Sequence, residues 1–269
     1  MSADRWTYRH AAIVRLTHWI NALCLTMLLM SGLQIFNAHP SLYAGDQSHF
    51  DRPILSIGAE QRSEGLAGLT IISGHQLTTT GVLGVSKVGD EVAVRAFPSW
   101  ATVPGAKDLA LARRWHFFFA WLLVLNGTVY LAYSVASGHV WRDLVPSLSA
   151  LRHIGREVLD HMRLRFPKGE EARRYNVLQQ LTYLLVIFVL LPLLVLAGLA
   201  MSPALDSLIH PLPALLGGRQ SARTIHFLAA TAITLFVAIH VAMVVASGLF
   251  NNMRSMITGR YDLGDGGSR

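Results

Sequence analysis

Four stretches of the chain are predominantly apolar, at residues 16–36, 115–136, 177–201 and 224–250, and none contains Asp, Glu, Lys or Arg. Each reaches the roughly 20 residues needed to cross a hydrocarbon layer about 30 Å thick. A soluble helix of that length keeps a polar face, so the pattern predicts four membrane-spanning helices. Arg5, Arg9 and Arg15 precede the first stretch as they would a signal peptide. It is too long for a signal h-region, however, and Ser31-Gly32 is not followed by a small-x-small cleavage site. It is read as a retained first helix. Pro192 and Gly198 in the third stretch predict a kinked membrane helix.

The segments between the spans are unequal. Residues 37–114 are too long for a simple connector. Two runs rich in Val and Thr, 78–88 and 91–97, flank Gly89-Asp90 and predict a hairpin. The expectation is a small cap outside the membrane, not an independent domain, so that 1–269 forms one membrane domain. In the 137–176 loop, Leu148, Leu151, Ile154, Val158, Leu159 and Met162 recur at helical spacing among arginines, as in an interfacial helix on anionic headgroups. Residues 264–269 read as disordered, and no internal repeat is present.

Composition supports the same class. The chain of 269 residues is 52% hydrophobic and 14% charged, with a mean hydropathy of +0.40, against roughly a quarter charged in soluble domains. The net charge of +7 is loop lysine and arginine and not a nucleic-acid footprint. Basic residues number three in the N-terminal arm, eight in the 137–176 loop and three in the tail, whereas 202–223 holds only Arg219 and Arg223. The bias puts both termini and the middle loop in the cytoplasm and 37–114 in the periplasm. The lone cysteine, Cys24, excludes an internal disulfide, a Cys-x-x-Cys-His haem attachment, a thiolate zinc site and a Cys-ligated iron–sulfur cluster.

The candidate chemistry lies in histidines inside the spans: His18, His116, His226 and His240. Ionisable side chains are costly in lipid and by default mark function. His226 and His240 are fourteen residues apart, about 21 Å and close to four turns on a helix, so they share a face at two depths. Depth pairs His18 with His240 near the cytoplasmic side and His116 with His226 near the outside. Each pair is a bis-imidazole arrangement suited to a low-spin haem iron, which makes all four candidate metal ligands. Arginine precedes three of them by three residues, as Arg15, Arg113 and Arg223, on the same helix face, where a guanidinium can hold a haem propionate. His39, His49 and His75 in the outer segment read as surface residues. His10, His139, His153, His161 and His210 show no ligand spacing, and the eight methionines read as packing.

On these residues the chain resembles the bacterial four-helix dihaem cytochrome b family of the cytochrome b-561 type. That family includes the membrane subunits of formate dehydrogenase, nickel–iron hydrogenase and thiosulfate reductase. The resemblance is carried by 15–19, 113–116, 223–226 with His240, Tyr175-Asn-Val-Leu-Gln-Gln-Leu-Thr-Tyr183 opening the third span, and Met201-Ser-Pro203 closing it. It implies an all-α four-helix membrane bundle holding two non-covalent haem b groups. It also implies electron transfer across the inner membrane between the quinone pool and a periplasmic redox enzyme of the molybdenum or hydrogenase type. Quinone would bind at Tyr175, Asn176 and Gln179, which offer hydrogen-bonding groups near the cytoplasmic pair. Gln180 stands where that family often has lysine and Leu178 where it often has glycine, and 37–114 is longer than in the formate dehydrogenase subunit. Two alternatives stay open: a stand-alone quinone-linked superoxide-oxidising cytochrome, and a proton-coupled transporter, which would lack an intramembrane carboxylate.

Overall fold

A computed structural model describes residues 6–63, 65–152, 154–155, 158–159, 163, 176–202 and 211–263. The chain is mostly helical. Four helices are long and apolar enough to cross a membrane: α1 (Ala12–Phe36), α2 (Leu109–Ala136), α3 (Val177–Ala200) and α4 (Arg219–Ala246). Large apolar side chains such as Phe118, Trp121, Leu125 and Leu235 stand more than half exposed on them. That is the surface of a helix meant for lipid, where no water has to be excluded.

The helix limits differ from the charge-free runs, for local reasons. Helix α2 begins at Leu109 because the Asp108 carboxylate accepts from Leu111 N at 2.8 Å, an acidic N-cap. His116 therefore lies two turns inside its helix and not at its start. Helix α4 begins at Arg219, where Asp46 Oδ1 accepts from Arg219 N (3.1 Å) and Gly45 O accepts from Gln220 N and Ser221 N (2.9 and 3.1 Å). Helix α4 ends at Ala246, short of the expected 250, because Gly248 takes φ +112°, a conformation few side chains tolerate. A short amphipathic helix, α5 (Leu249–Thr258), follows. In α3 the proline is absorbed by a π-helical turn at Val186–Leu190. Pro192 has no N–H for the carbonyl of Phe188, and a wider turn relieves the clash. Of the expected interfacial helix, Leu148–Leu151 forms a turn capped by Ser147, and Met162 lies outside the described residues.

The chain groups into two compact units. The first comprises Met1–Asn21, Leu125–Leu191 and Ala232–Arg269. Here β1 (Trp6–Tyr8) pairs antiparallel with β8 (Arg260–Asp262), Trp6 opposite Asp262. Helix α5 is tied to α1 by Trp19 Nε1 donating to Met256 O (3.0 Å) and by Arg15 donating to Ile257 O. Buried Asn126 of α2 donates to Thr17 O (2.8 Å) and to Asn21 Oδ1 (2.7 Å) of α1.

The second unit comprises Ala22–Val124 and Pro192–Thr231. Its insertion contains the expected hairpin, β6 (Gly84–Val88) with β7 (Glu91–Arg95) across Gly89-Asp90. It also contains a four-stranded antiparallel sheet, β2 (Ser41–Leu42), β3 (Leu55–Arg62), β4 (Gly65–Ile72) and β5 (His75–Thr78), in that order. Phe36, Leu42, Ile57 and Ala96 make the buried core of this unit, with Phe97 and Phe227 packed against it. Arg95 is 5% exposed and holds the insertion to α1, donating to Gln34 Oε1, Thr102 Oγ1, Phe97 O and Gly105 O at 2.7–2.9 Å. Arg95→Leu removes all four hydrogen bonds and leaves Thr102 Oγ1 and Gly105 O without a donor, Asn37 Nδ2 still serving Gln34 Oε1 and Phe97 O, and should cost about 3 kcal/mol. Limited proteolysis should then cut within 84–107 while circular dichroism shows the spans still helical.

Candidate functional site

The structure brings the span histidines together in the two pairs that depth selected. In the first unit the rings of His18 (α1) and His240 (α4) have centroids 6.3 Å apart, tilted by 56°. In the second, His116 (α2) and His226 (α4) stand at 6.2 Å and 59°. Imidazoles on opposite sides of one metal ion, each bonded at about 2 Å, place their centroids about 6 Å apart. Direct contact between stacked rings has no need of such spacing. His116 and His226 each lie seven residues, two turns, past the first residue of their helices, Leu109 and Arg219.

Hydrogen bonds fix which nitrogen each ring presents. Ser31 Oγ donates to Met27 O (2.6 Å), so its oxygen accepts from His116 Nδ1 (3.0 Å). His226 Nδ1 faces Leu194 O at 2.8 Å, and a carbonyl can only accept. Both rings therefore carry their proton on Nδ1 and keep the Nε2 lone pair, the arrangement that prepares a histidine to ligate a metal. Small residues make room behind them. A Cβ on Gly32 would lie 3.3 Å from His116 Cε1, and one on Gly198 would lie 3.3 Å from His226 Cε1. In the first unit, His18 Nδ1 and Arg15 Nε are buried without a hydrogen-bond partner. Phe236 stacks on His240 at 5.8 Å, and Trp19 meets His18 edge-on at 5.3 Å.

The three arginines occupy different settings. Arg15 lines a cavity of about 380 Å³ with Leu16, Trp19 and Met256, while one of its amines donates to Ile257 O. Arg113 is exposed and lies over the Phe117 ring. Arg223 is half-buried over Phe36 and donates to His39 O. His39 is not a plain surface residue. Its Nε2 is buried without a partner, its ring packs on Tyr43 and Phe50, and burial and the Arg223 charge lower its pKa. Only proximity in the fold reveals this, because nothing in its spacing marks it. At the start of α3, Asn176 and Gln179 form a capping box: Asn176 Oδ1 accepts from Gln179 N (2.8 Å) and Gln179 Oε1 from Asn176 N (3.3 Å). Both carboxamide oxygens thus serve the helix start. Tyr175 lies outside the described residues.

Two pairs of facing imidazoles, one pair with its tautomers fixed, inside a protein with four membrane-length helices fit the donor set of a b-type cytochrome. Residues 9–259 match the prokaryotic cytochrome b561 family, and the chain belongs to it. The chain is also similar to a putative protein-methionine-sulfoxide reductase subunit, YedZ1, of Azospira oryzae. The two are 28% identical over 235 residues, covering 87% of this chain and 89% of that one. No solved structure matches it. The protein is thus a multi-pass membrane haem protein of the electron-transfer type, and the transporter alternative falls away.

The glycine and serine supports give a direct test. Gly32→Val and Gly198→Val should displace the adjoining imidazole and lower haem b per purified chain, read by pyridine haemochrome. Ser31→Ala should weaken haem retention by roughly 10- to 100-fold, read by haem transfer to apomyoglobin, with the chain still folded.

Proposed function

We propose that the protein is a dihaem cytochrome b, one membrane domain over 1–269, that carries electrons between the quinone pool and a periplasmic redox enzyme. The observation that supports it most is the pair of ring separations, 6.3 and 6.2 Å, each matched to one ion between two histidines. His18 and His240 would hold the inner haem, and His116 and His226 the outer one. Arg15 would face the propionates of the first. Arg113 and Arg223, with the Nε2 of His39, would face those of the second. Each bound haem supplies a one-electron iron couple. The chain's own residues fix the ring orientations, exclude water from the ligand nitrogens and set charge beside the carboxylates.

Quinone would bind where α3 starts, with Asn176, Gln179 and Tyr175 supplying donors. The charge bias supports a cytoplasmic position for this start, both termini and the 137–176 loop. The strand-rich 37–114 segment would face the periplasm and meet the partner. The likeness to a putative methionine-sulfoxide reductase subunit of Azospira favours an enzyme that reduces methionine sulfoxide, with electrons running outward from quinol. A molybdenum enzyme fits this role better than a hydrogenase, which would feed electrons inward.

Pyridine haemochrome should give two haems per chain, extractable with acidic acetone because no thioether holds them. His18→Ala and His240→Ala should remove one and the same spectral and redox component, and His116→Ala and His226→Ala the other. One haem per chain, or a phenotype shared by His18→Ala and His226→Ala, would refute the pairing. Affinity isolation from native membranes should bring a periplasmic reductase with the chain, and oxidised-methionine protein should reoxidise quinol-reduced haem in that preparation.

A further inference from the structure

The first unit contains a second group of protonatable side chains that the paired histidines do not use. Helix α2 ends at Ala136, and the following π-helical turn, Val140–Leu144, sets His139 and Asp143 four residues apart on one face. His139 Nδ1 and Asp143 Oδ2 are 2.6 Å apart. The carboxylate accepts from the ring at Nδ1, which leaves Nε2 as the nitrogen that can exchange a proton with a ligand. The His139 side chain is 16% exposed and that of Asp143 46% exposed. A proton taken up at the sheltered ring therefore has a wet carboxylate beside it.

Two connections place this pair. Gln180 Nε2 of α3 donates to Asp143 O at 2.9 Å, which ties the turn to the first residues of the third span. Buried His10 interacts electrostatically with both His139 and His18. The pair thus adjoins the start of α3, and its histidine is in electrostatic reach of His10, which also reaches His18. Burial, reinforced by Arg9, lowers His10 to a pKa of about 4, so His10 is neutral at physiological pH and stores no proton. The other groups facing the pair are Arg142 of the same turn, which donates to Ser137 O, and Tyr130 of α2, which senses the Asp143 charge. Tyr183 of α3 lies near Tyr130 and Arg9, and Arg15 near His10.

We propose that His139 and Asp143 form the proton-exchanging pair of the quinone site, with His139 Nε2 meeting a hydroxyl of a hydroquinone. This rests on the quinone reading above. Oxidation of one hydroquinone releases two protons and two electrons. The O–H bond breaks as the Nε2–H bond forms, and Asp143 holds the imidazolium until the proton leaves to water. A second transfer clears the other hydroxyl. A haem held by the paired histidines would be the one-electron acceptor for both electrons in turn. Running in reverse, the same pair delivers protons to a reduced quinone.

The test uses the full-length purified haem protein, mixed in a stopped-flow instrument with decylubiquinol and, separately, a short-chain menaquinol. Rates are normalised to dithionite-reducible haem. His139→Gln and Asp143→Asn should each slow haem reduction by quinol roughly 100-fold, the lower range of general-base contributions. Their spectra, haem content and midpoint potentials should match the unaltered protein. Asp143→Asn keeps the main-chain oxygen that Gln180 binds, so the turn retains its tie to α3. The unaltered protein should speed up with rising pH, and His139→Gln should lose that rise. Variants with unchanged rates and the same pH profile would overturn the relay and leave the quinone reading standing. If neither quinol reduces the unaltered protein, both fall together. A uniform loss of rate with the pH rise preserved would show a structural role and overturn the relay as well.

Discussion

The structure depends on the cost of placing an imidazole inside an apolar helix. Such a ring has two polar nitrogens, and no water reaches them to satisfy either. For His116 and His226 the chain answers at one nitrogen only. Ser31 Oγ and Leu194 O take the Nδ1 protons, which leaves an Nε2 lone pair on each of two rings whose centroids stand 6.2 Å apart. That leftover acceptor is the reason for the site. It determines where Gly32 and Gly198 must lack side chains. It also fits the fixed position of α4, whose first turn is held by Gly45 and Asp46 and whose Thr224 donates to Tyr43 O at 2.7 Å.

Much of this was legible in the sequence because it rests on periodicity. Charge-free apolar runs yield the spans, and a fourteen-residue spacing on one helix yields two depths, hence the pairing. The helix limits were not legible from charge alone. Asp108 and the 43–46 loop extend α2 and α4 beyond their apolar runs, and Gly248 ends α4 four residues early by its φ of +112°. The sheet of β2 to β5 was missed for a different reason. Its long strands carry Gly58 and Gly68 and little alternation, so local β preference is weak. Gly68 is required because Leu83 O would lie 2.2 Å from any Cβ there. That constraint comes from packing between strands and leaves no trace in the spacing of residues.

The candidate site divides in the same way. The four span histidines announce themselves by being ionisable in an apolar run. His10, His39 and His139 sit among loop polar residues, where a histidine carries no such signal. Their settings arise from neighbours distant in sequence: Arg223 for His39, and His139 for His10. The Asn176–Gln179 pair shows the converse. Its amides stand out in the sequence as ligand donors, yet their oxygens first satisfy orphan N–H groups at a helix start.

The two units differ in how they treat protons, and the difference fits the two exchanges the proposed function requires. In the second unit the rings of His116 and His226 have their Nδ1 protons committed to protein oxygens, with glycines behind them. The nearby His39 is held towards its neutral form by burial and the Arg223 charge. Nothing in that arrangement favours uptake of a proton, which suits an end that hands single electrons to another protein. In the first unit, His18 Nδ1 is left without an acceptor, and His10 is in electrostatic reach of both His18 and His139. Asp143, the most exposed member, meets water. A quinone cannot be fully reduced or oxidised without protons, so the end that serves it needs a route of this kind. In the proposed relay that route is built from a helix end and a π-helical turn, outside the spans.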